Sequence, residues 1–242
     1  MYNILISAGG ALAVFLLMKL AVGLPWWGAL LIAVPIFIGS FLLISRVVTK
    51  KLEALMGSAM KDIQAQRVEK GIRDLKNAFK YGKWQIYVTG QINSTIGMVY
   101  YVKRDFSNAF PYLEKGFFKN WVTMGMLAIS YMKRNKRDRM KDTFEKAVIA
   151  SPKESLLWSL YAYCLSDCGD TGKAKEVLER GLKKLPGDEK LKQNLELLSE
   201  GKKMKMKAYG DMWLQFHLES LGTIQKQQMA AMGGMKRRIV RK

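Results

Sequence analysis

Residues 1–45 carry one charged side chain, Lys19. A run of that length with so little to hydrate it constrains the fold more than any other feature of the chain. It contains two apolar segments, 4–22 and 26–45, each close to the ~20 residues a helix needs to cross a bilayer core. Only Gly23, Leu24 and Pro25 lie between them, so the expectation is a tight transmembrane hairpin, with Trp26 and Trp27 at the depth aromatic rings favour. Pro35 is expected to kink the second span, and the neighbouring helix to cover the carbonyl it frees. Gly9, Gly10, Ala11, Gly28, Ala33 and Gly39 would let the two helices approach closely. The competing reading is a cleaved signal peptide. That needs a basic start and a single apolar run, whereas this chain begins Met-Tyr-Asn and a second span follows at once.

Flanking charge sets the expected orientation. Arg46, Lys50, Lys51, Lys61 and Arg67 follow the second span, and the turn between the spans has no charge. The positive-inside tendency then puts both termini in the cytoplasm, as for a protein of a bacterial inner membrane. Lys19 opposes this but can snorkel to the outer surface. The whole chain has 40 Lys+Arg against 20 Asp+Glu, a formal charge of +20 that implies an anionic partner or surface.

The two cysteines, Cys164 and Cys168, fall on consecutive turns of one helix, where a bridge would close almost no loop. They read as small, partly buried residues of a reducing compartment. The alternative, a metal or redox role, lacks ligands, since His217 is the one histidine and zinc takes about four donors. The sequence shows no phosphate-cradling glycine motif, HExxH or nucleophile elbow. No catalytic residue, cofactor or metal ligand is assigned, and the chain is not expected to be an enzyme.

Beyond the apolar head the sequence repeats itself. Residues 142–152 (DTFEKAVIASP) align with 176–186 (EVLERGLKKLP) at an offset of 34, matching Phe144 with Leu178, Ala147 with Gly181 and Pro152 with Pro186. Leu127, Ala128 and Tyr131 match Tyr161, Ala162 and Leu165 at the same offset. An earlier copy at 105–118 offers Ala109, Leu113 and Gly116, preceded by Ile96, Gly97 and Tyr100. A fainter one at 69–83 has Gly71, Leu75 and Ala78, and its first helix would be 51–66; the alternative is a plain linker helix. Ser151, Pro152 and Glu154 read as a helix start with a capping box. A last helix at 188–198 would close the array with Leu191, Leu195 and Leu198.

These residues resemble the tetratricopeptide repeat (TPR) family, whose 34-residue pattern pairs two helices. The copy ending at Pro186 fits it best, with Trp158, Ala162, Gly169, Ala174, Leu178 and Gly181 at family positions, and the likeness covers roughly 69–186. Together with the apolar head and the basic end, it gives an expected all-α chain: a transmembrane hairpin (1–46), a short TPR-like α-solenoid with a capping helix (47–201), and a basic, Met-rich amphipathic tail (202–242). It also implies a concave face lined by Gln91, Ser94, Met98, Tyr101, Val122, Gly125, Ile129, Met132, Leu156, Ser159, Tyr163 and Ser166, suited to an extended peptide or an amphipathic helix. Any of these residues could instead pack only against the next repeat. Where some members hold a chaperone's terminal carboxylate with Lys, Asn and Arg, this chain has Ser159, Tyr163, Gly125 and Ile129, so that activity does not carry over.

Two basic stretches remain. Lys133, Arg134, Lys136, Arg137 and Arg139, with Lys236, Arg237 and Arg238 near the end, are either solvated or contact anions and lipid headgroups. Between them Trp213, Leu214, Leu218, Leu221 and Met232 recur at helical spacing. This stretch could dock on the repeats, bind a partner or lie on the membrane surface; His217 within it reads as structural. The expected function is a membrane-anchored scaffold whose repeats bind a partner protein, free or as a subunit of a larger membrane complex. The rival is a basic tether for nucleic acid or anionic lipid.

Overall fold

The computed structural model describes residues 1–219, and every regular element among them is helical. The chain divides into two compact units, Met1–Met98 with Pro111–Phe117, and Val99–Phe110 with the chain from Phe118 onward.

The first unit opens with α1 (Tyr2–Leu20) and α2 (Trp26–Gln64), both long and apolar enough to cross a membrane. They turn at Gly23, whose φ of +74° suits glycine. Ala11, Ala29 and Ala33 are buried, whereas Leu5, Leu20, Leu31 and Leu43 are each about two-thirds exposed or more. Small residues thus make the helix contact, and large apolar ones face outward.

α2 runs unbroken for 39 residues with Pro35 inside it, so the segment read as a separate first helix at 51–66 continues the apolar span. The composition turns from apolar to charged at Arg46, a change that leaves the helix unbroken. It does not alter helix propensity, since Leu, Glu, Ala, Met and Lys dominate the sequence that follows. α3 (Val68–Asn77) folds back on α2 at Gly71, where a Cβ would lie 2.5 Å from Ile63 Cγ1 and 2.7 Å from the Ala59 carbonyl oxygen. Asp62 ties the turn with salt bridges to Arg67 (2.6 Å) and Lys70 (3.0 Å).

A 3₁₀ segment, Ala78–Lys83, then leads the chain back to the base of the hairpin. There Gln85 Nε2 donates to the Ser45 carbonyl (2.9 Å), Thr49 donates to Gln85 Oε1 (3.3 Å), and Asn3 Nδ2 donates to Ser45 Oγ (3.1 Å). Trp84 meets Tyr2 edge to face. α4 (Val88–Val102) and α5 (Phe106–Glu114) follow, each shared between the two units. Within the first unit Gly97 lies against Leu113, and Ser94 Oγ accepts the Phe117 amide at 2.7 Å.

The second unit contains α6 (Trp121–Lys133), α7 (Arg137–Ala150), α8 (Ser155–Asp167), α9 (Thr171–Lys184) and α10 (Glu189–Ser199). α6 packs on α7 and α8 on α9, and α10 closes against α8 and α9. Ala128, Ala147, Ala162 and Ala174 are fully buried where helices meet, and Phe144 stacks on Tyr161 at 4.9 Å. Glu145 bridges elements, receiving two hydrogen bonds from Arg180 (2.8 and 2.7 Å) and one from Tyr161 (3.1 Å). Arg180 holds the Glu145 carboxyl below the usual carboxylate range.

One turn geometry recurs. After α2, α4, α6, α8 and α10, residues Gln66, Arg104, Asn135, Gly169 and Gly201 take positive φ. In each case the next amide bonds a carbonyl five residues back: Arg67 to Asp62, Asp105 to Tyr100, Lys136 to Tyr131, Asp170 to Leu165 and Lys202 to Leu197. This left-handed C-cap satisfies orphan carbonyls at each helix end.

Two local expectations change. α8 starts at Ser155, not at Pro152; Ser151 instead ends α7, and Glu154 precedes α8 without a side-chain cap. The Trp158 indole donates to the Pro152 carbonyl (2.9 Å), which holds Pro152 in the loop outside the helix. The tail, read as one amphipathic stretch, has two short pieces, a 3₁₀ turn at Met206–Tyr209 and α11 (Asp211–Leu214), split at Gly210 with φ +60°. Leu221, Met232, Lys236, Arg237 and Arg238 lie outside the described residues.

Candidate ligand groove

Within the second unit, the chain's own segment from Lys205 to His217 lies against α10, α8, α6 and the last residues of α4. α7 packs on α6, and α9 on α8. α10 sets the entry: Asn194 is buried, its Oδ1 accepts the Lys205 amide (2.8 Å), and its Nδ2 reaches Ser159 Oγ (3.4 Å). Met206 is buried beside it.

On α8, Ser155 and Ser159 fall one turn apart and share the Tyr209 hydroxyl at 2.9 and 2.8 Å. Burial pushes the Tyr209 phenol up, so it serves as a neutral hydroxyl. Lys190 from α10 lies 4.8 Å from the centre of the same ring. One turn further along α8, Tyr163 meets Trp213 edge to face at 4.9 Å, and Trp213 is 2% exposed.

α6 receives the next anchor. Gly125 removes the side chain that would fill the site, since a Cβ there would lie 3.1 Å from Phe216 Cε1 and 2.9 Å from Leu160 Cδ2. Trp121 flanks the Phe216 ring, which is fully buried. The Tyr101 hydroxyl donates to the Phe216 carbonyl (2.9 Å), and burial raises its pKa, so it stays a proton donor. His217 ends the path. Its ring stacks on Tyr101 and meets Phe106, with Nε2 3.2 Å from the Val102 carbonyl and Nδ1 buried without a hydrogen-bond partner. Burial, then the nearby Arg104 charge, lowers the His217 pKa. A cavity of about 310 Å³ opens beside it, lined by Tyr101, Phe106, Ile129, Ser130, Lys133, Arg134 and His217.

The sequence-predicted residues distribute as follows. Gln91, Ser94 and Met98 belong to the first unit, where Gln91 is exposed and Ser94 is buried and bonded to Phe117. Tyr101, Gly125, Ser159 and Tyr163 touch the tail directly. Ile129, Met132 and Leu156 are buried in the same unit, and Val122 and Ser166 are half-buried. Lys133, Arg134, Lys136, Arg137 and Arg139 are all exposed at the α6–α7 turn, with the Arg134 guanidinium 3.5 Å from the Phe110 ring centre.

Sequence reasoning did not single out Asn194, Tyr209 or Phe216. The available signal was the spacing of Met206, Tyr209, Trp213 and Phe216 at three, four and three residues, which puts them on one helical face. Cys164 is buried, with its thiol pushed up by burial, and Cys168 is half-buried; both are free. No protein-family model matches the chain, and a comparison with curated proteins finds no match.

Proposed function

We propose that this is a membrane-anchored, protein-binding helical-repeat protein. More particularly, it is a scaffold whose TPR-like array recruits a partner protein to the cytoplasmic face of the membrane that holds its N-terminal hairpin. The observation that carries this reading is the groove itself. Its inner face accepts a peptide-like segment through inserted aromatic rings and a few hydroxyl and amide bonds, the mode by which helical arrays hold short protein segments. The recurring left-handed turn, with Gly181 packed on Trp158, supports the repeat reading. Outward-facing Leu5, Leu20, Leu31 and Leu43 support the anchor, since a soluble core helix would bury them.

The test uses the full-length protein in its native membranes, with a photo-crosslinking residue at Tyr163 or Ser166 and a control at the exposed Asp142. The expected result is a discrete heavier species from the groove positions and none from the control. Because Tyr163 already meets Trp213 of the chain's own tail, the deciding chain also carries Trp213→Ala and Phe216→Ala; crosslinks to its own chain and lipid alone would then sink the scaffold reading. The exposed cluster at Lys133, Arg134, Lys136, Arg137 and Arg139 favours a second reading, a tether to anionic lipid. Binding to anionic vesicles that vanishes near physiological salt would remove it.

A further inference from the structure

We propose that residues 204–219 are a built-in stand-in for the groove's partner. The array takes a short protein segment with large apolar anchors at i, i+3, i+7 and i+10, and this segment enters only as the tail leaves. The inference rests on the scaffold reading and specifies its ligand and its control.

Three observations carry it. First, the tail has little regular structure of its own, one 3₁₀ turn and a four-residue helix, so it is held by its anchors in the manner of a bound peptide. Met206, Trp213 and Phe216 are each 3% exposed or less, and Tyr209 shares its hydroxyl with two serines. Second, the tail joins α10 through one exposed turn: Gly201 takes φ +71°, and Lys202 and Lys203 are exposed. Release needs rotation at one turn and leaves α6 to α10 packed on one another.

Third, the tail is an imperfect occupant. His217 adopts φ +53°, unfavourable for a residue with a Cβ, and its buried Nδ1 is unpaired. The cavity beside it stays open toward Lys133 and Arg134. A segment with the same anchors and an ordinary backbone at this end avoids both penalties. The tail therefore occupies the groove against weak ligands and yields to a better-matched one, an intramolecular competitor at high effective concentration.

The experiment uses full-length protein in detergent carrying Trp213→Ala and Phe216→Ala together, titrated with a fluorescent peptide of residues 204–219. Saturable binding is expected, about tenfold or more tighter than to the unaltered chain. A peptide with the same two replacements should not compete. A variant that keeps its helical circular dichroism yet binds no peptide overturns the proposal. So does a variant that loses its helical content, because the tail is then a fixed part of the core. Hydrogen exchange on the unaltered protein gives an independent reading: amides of 206–216 should exchange about tenfold or more faster than those of α6 and α8. Exchange at a common rate overturns it. Peptide binding without a crosslinked partner would defeat the scaffold reading alone, and a crosslinked partner without peptide binding would defeat this one alone.

Discussion

Gly181 has no room for a methyl group: a Cβ would meet Trp158 Cγ at 2.9 Å and its Cβ at 3.1 Å. The indole cannot give way, because its nitrogen is bonded to Pro152 and Arg180 lies over the ring. Gly181→Ala should therefore lower stability by about 1–3 kcal/mol. Gly172→Ala, open to solvent on the same helix, should raise it by about 0.5 kcal/mol. Thermal melts of the two variants check the contrast. The small character of residue 181 and the large one of 158 were legible in the 34-residue offset, though not that the two meet. The start of α8 was not, because the bond from Trp158 to Pro152 overrides a plausible capping sequence.

His217 supplies a pH prediction at the same scale. Its pKa is lower docked than free, so the released tail binds the proton more readily, and docking weakens as pH falls below the ordinary histidine value of about 6.5. The charge that contributes to this lowering is Arg104, and Lys133 and Arg134, which line the same cavity, are cationic too. Tail amides should exchange faster at pH 5.5 than at pH 7.5, at about these values, after correction for intrinsic rates, and His217→Gln should abolish the difference.

Among the elements, the tail was the least readable. Its amphipathic spacing was visible, but its course was not: Tyr209 bonds Ser159 across 50 residues, and Phe216 bonds Tyr101 across 115. Gly210 also breaks the helix that the spacing suggests. Tyr209→Phe keeps the ring and removes the hydroxyl shared by Ser155 and Ser159. It should weaken docking by about 1–2 kcal/mol, read as faster exchange of residues 206–216 with α7 and α9 unchanged. α2 was misdivided for the opposite reason. Its apolar-to-charged transition was conspicuous, and nothing in the sequence at that point stops a helix. The turns after α2, α4 and α6 also escaped notice, because Gln66, Arg104 and Asn135 occupy the left-handed position that glycine usually marks.

At the scale of the whole molecule, the apolar head and the basic remainder make one extraction experiment informative. The full chain should stay with membranes through washes at high salt and at alkaline pH, and detergent should release it. Release by salt alone would leave charge as the only attachment and remove the hairpin from the reading. The continuity of α2 has a mechanical consequence as well. At about 1.5 Å per residue, the portion past Ser45 extends nearly 30 Å as one rod joined end to end with the apolar span. A rod of that kind is a lever: tilting the span by about 10° in a bilayer of changed thickness swings its far end by roughly 5 Å. On the anchored reading proposed above, thickness and tension in the lipid would thereby be felt at α3, which packs on the far part of the rod.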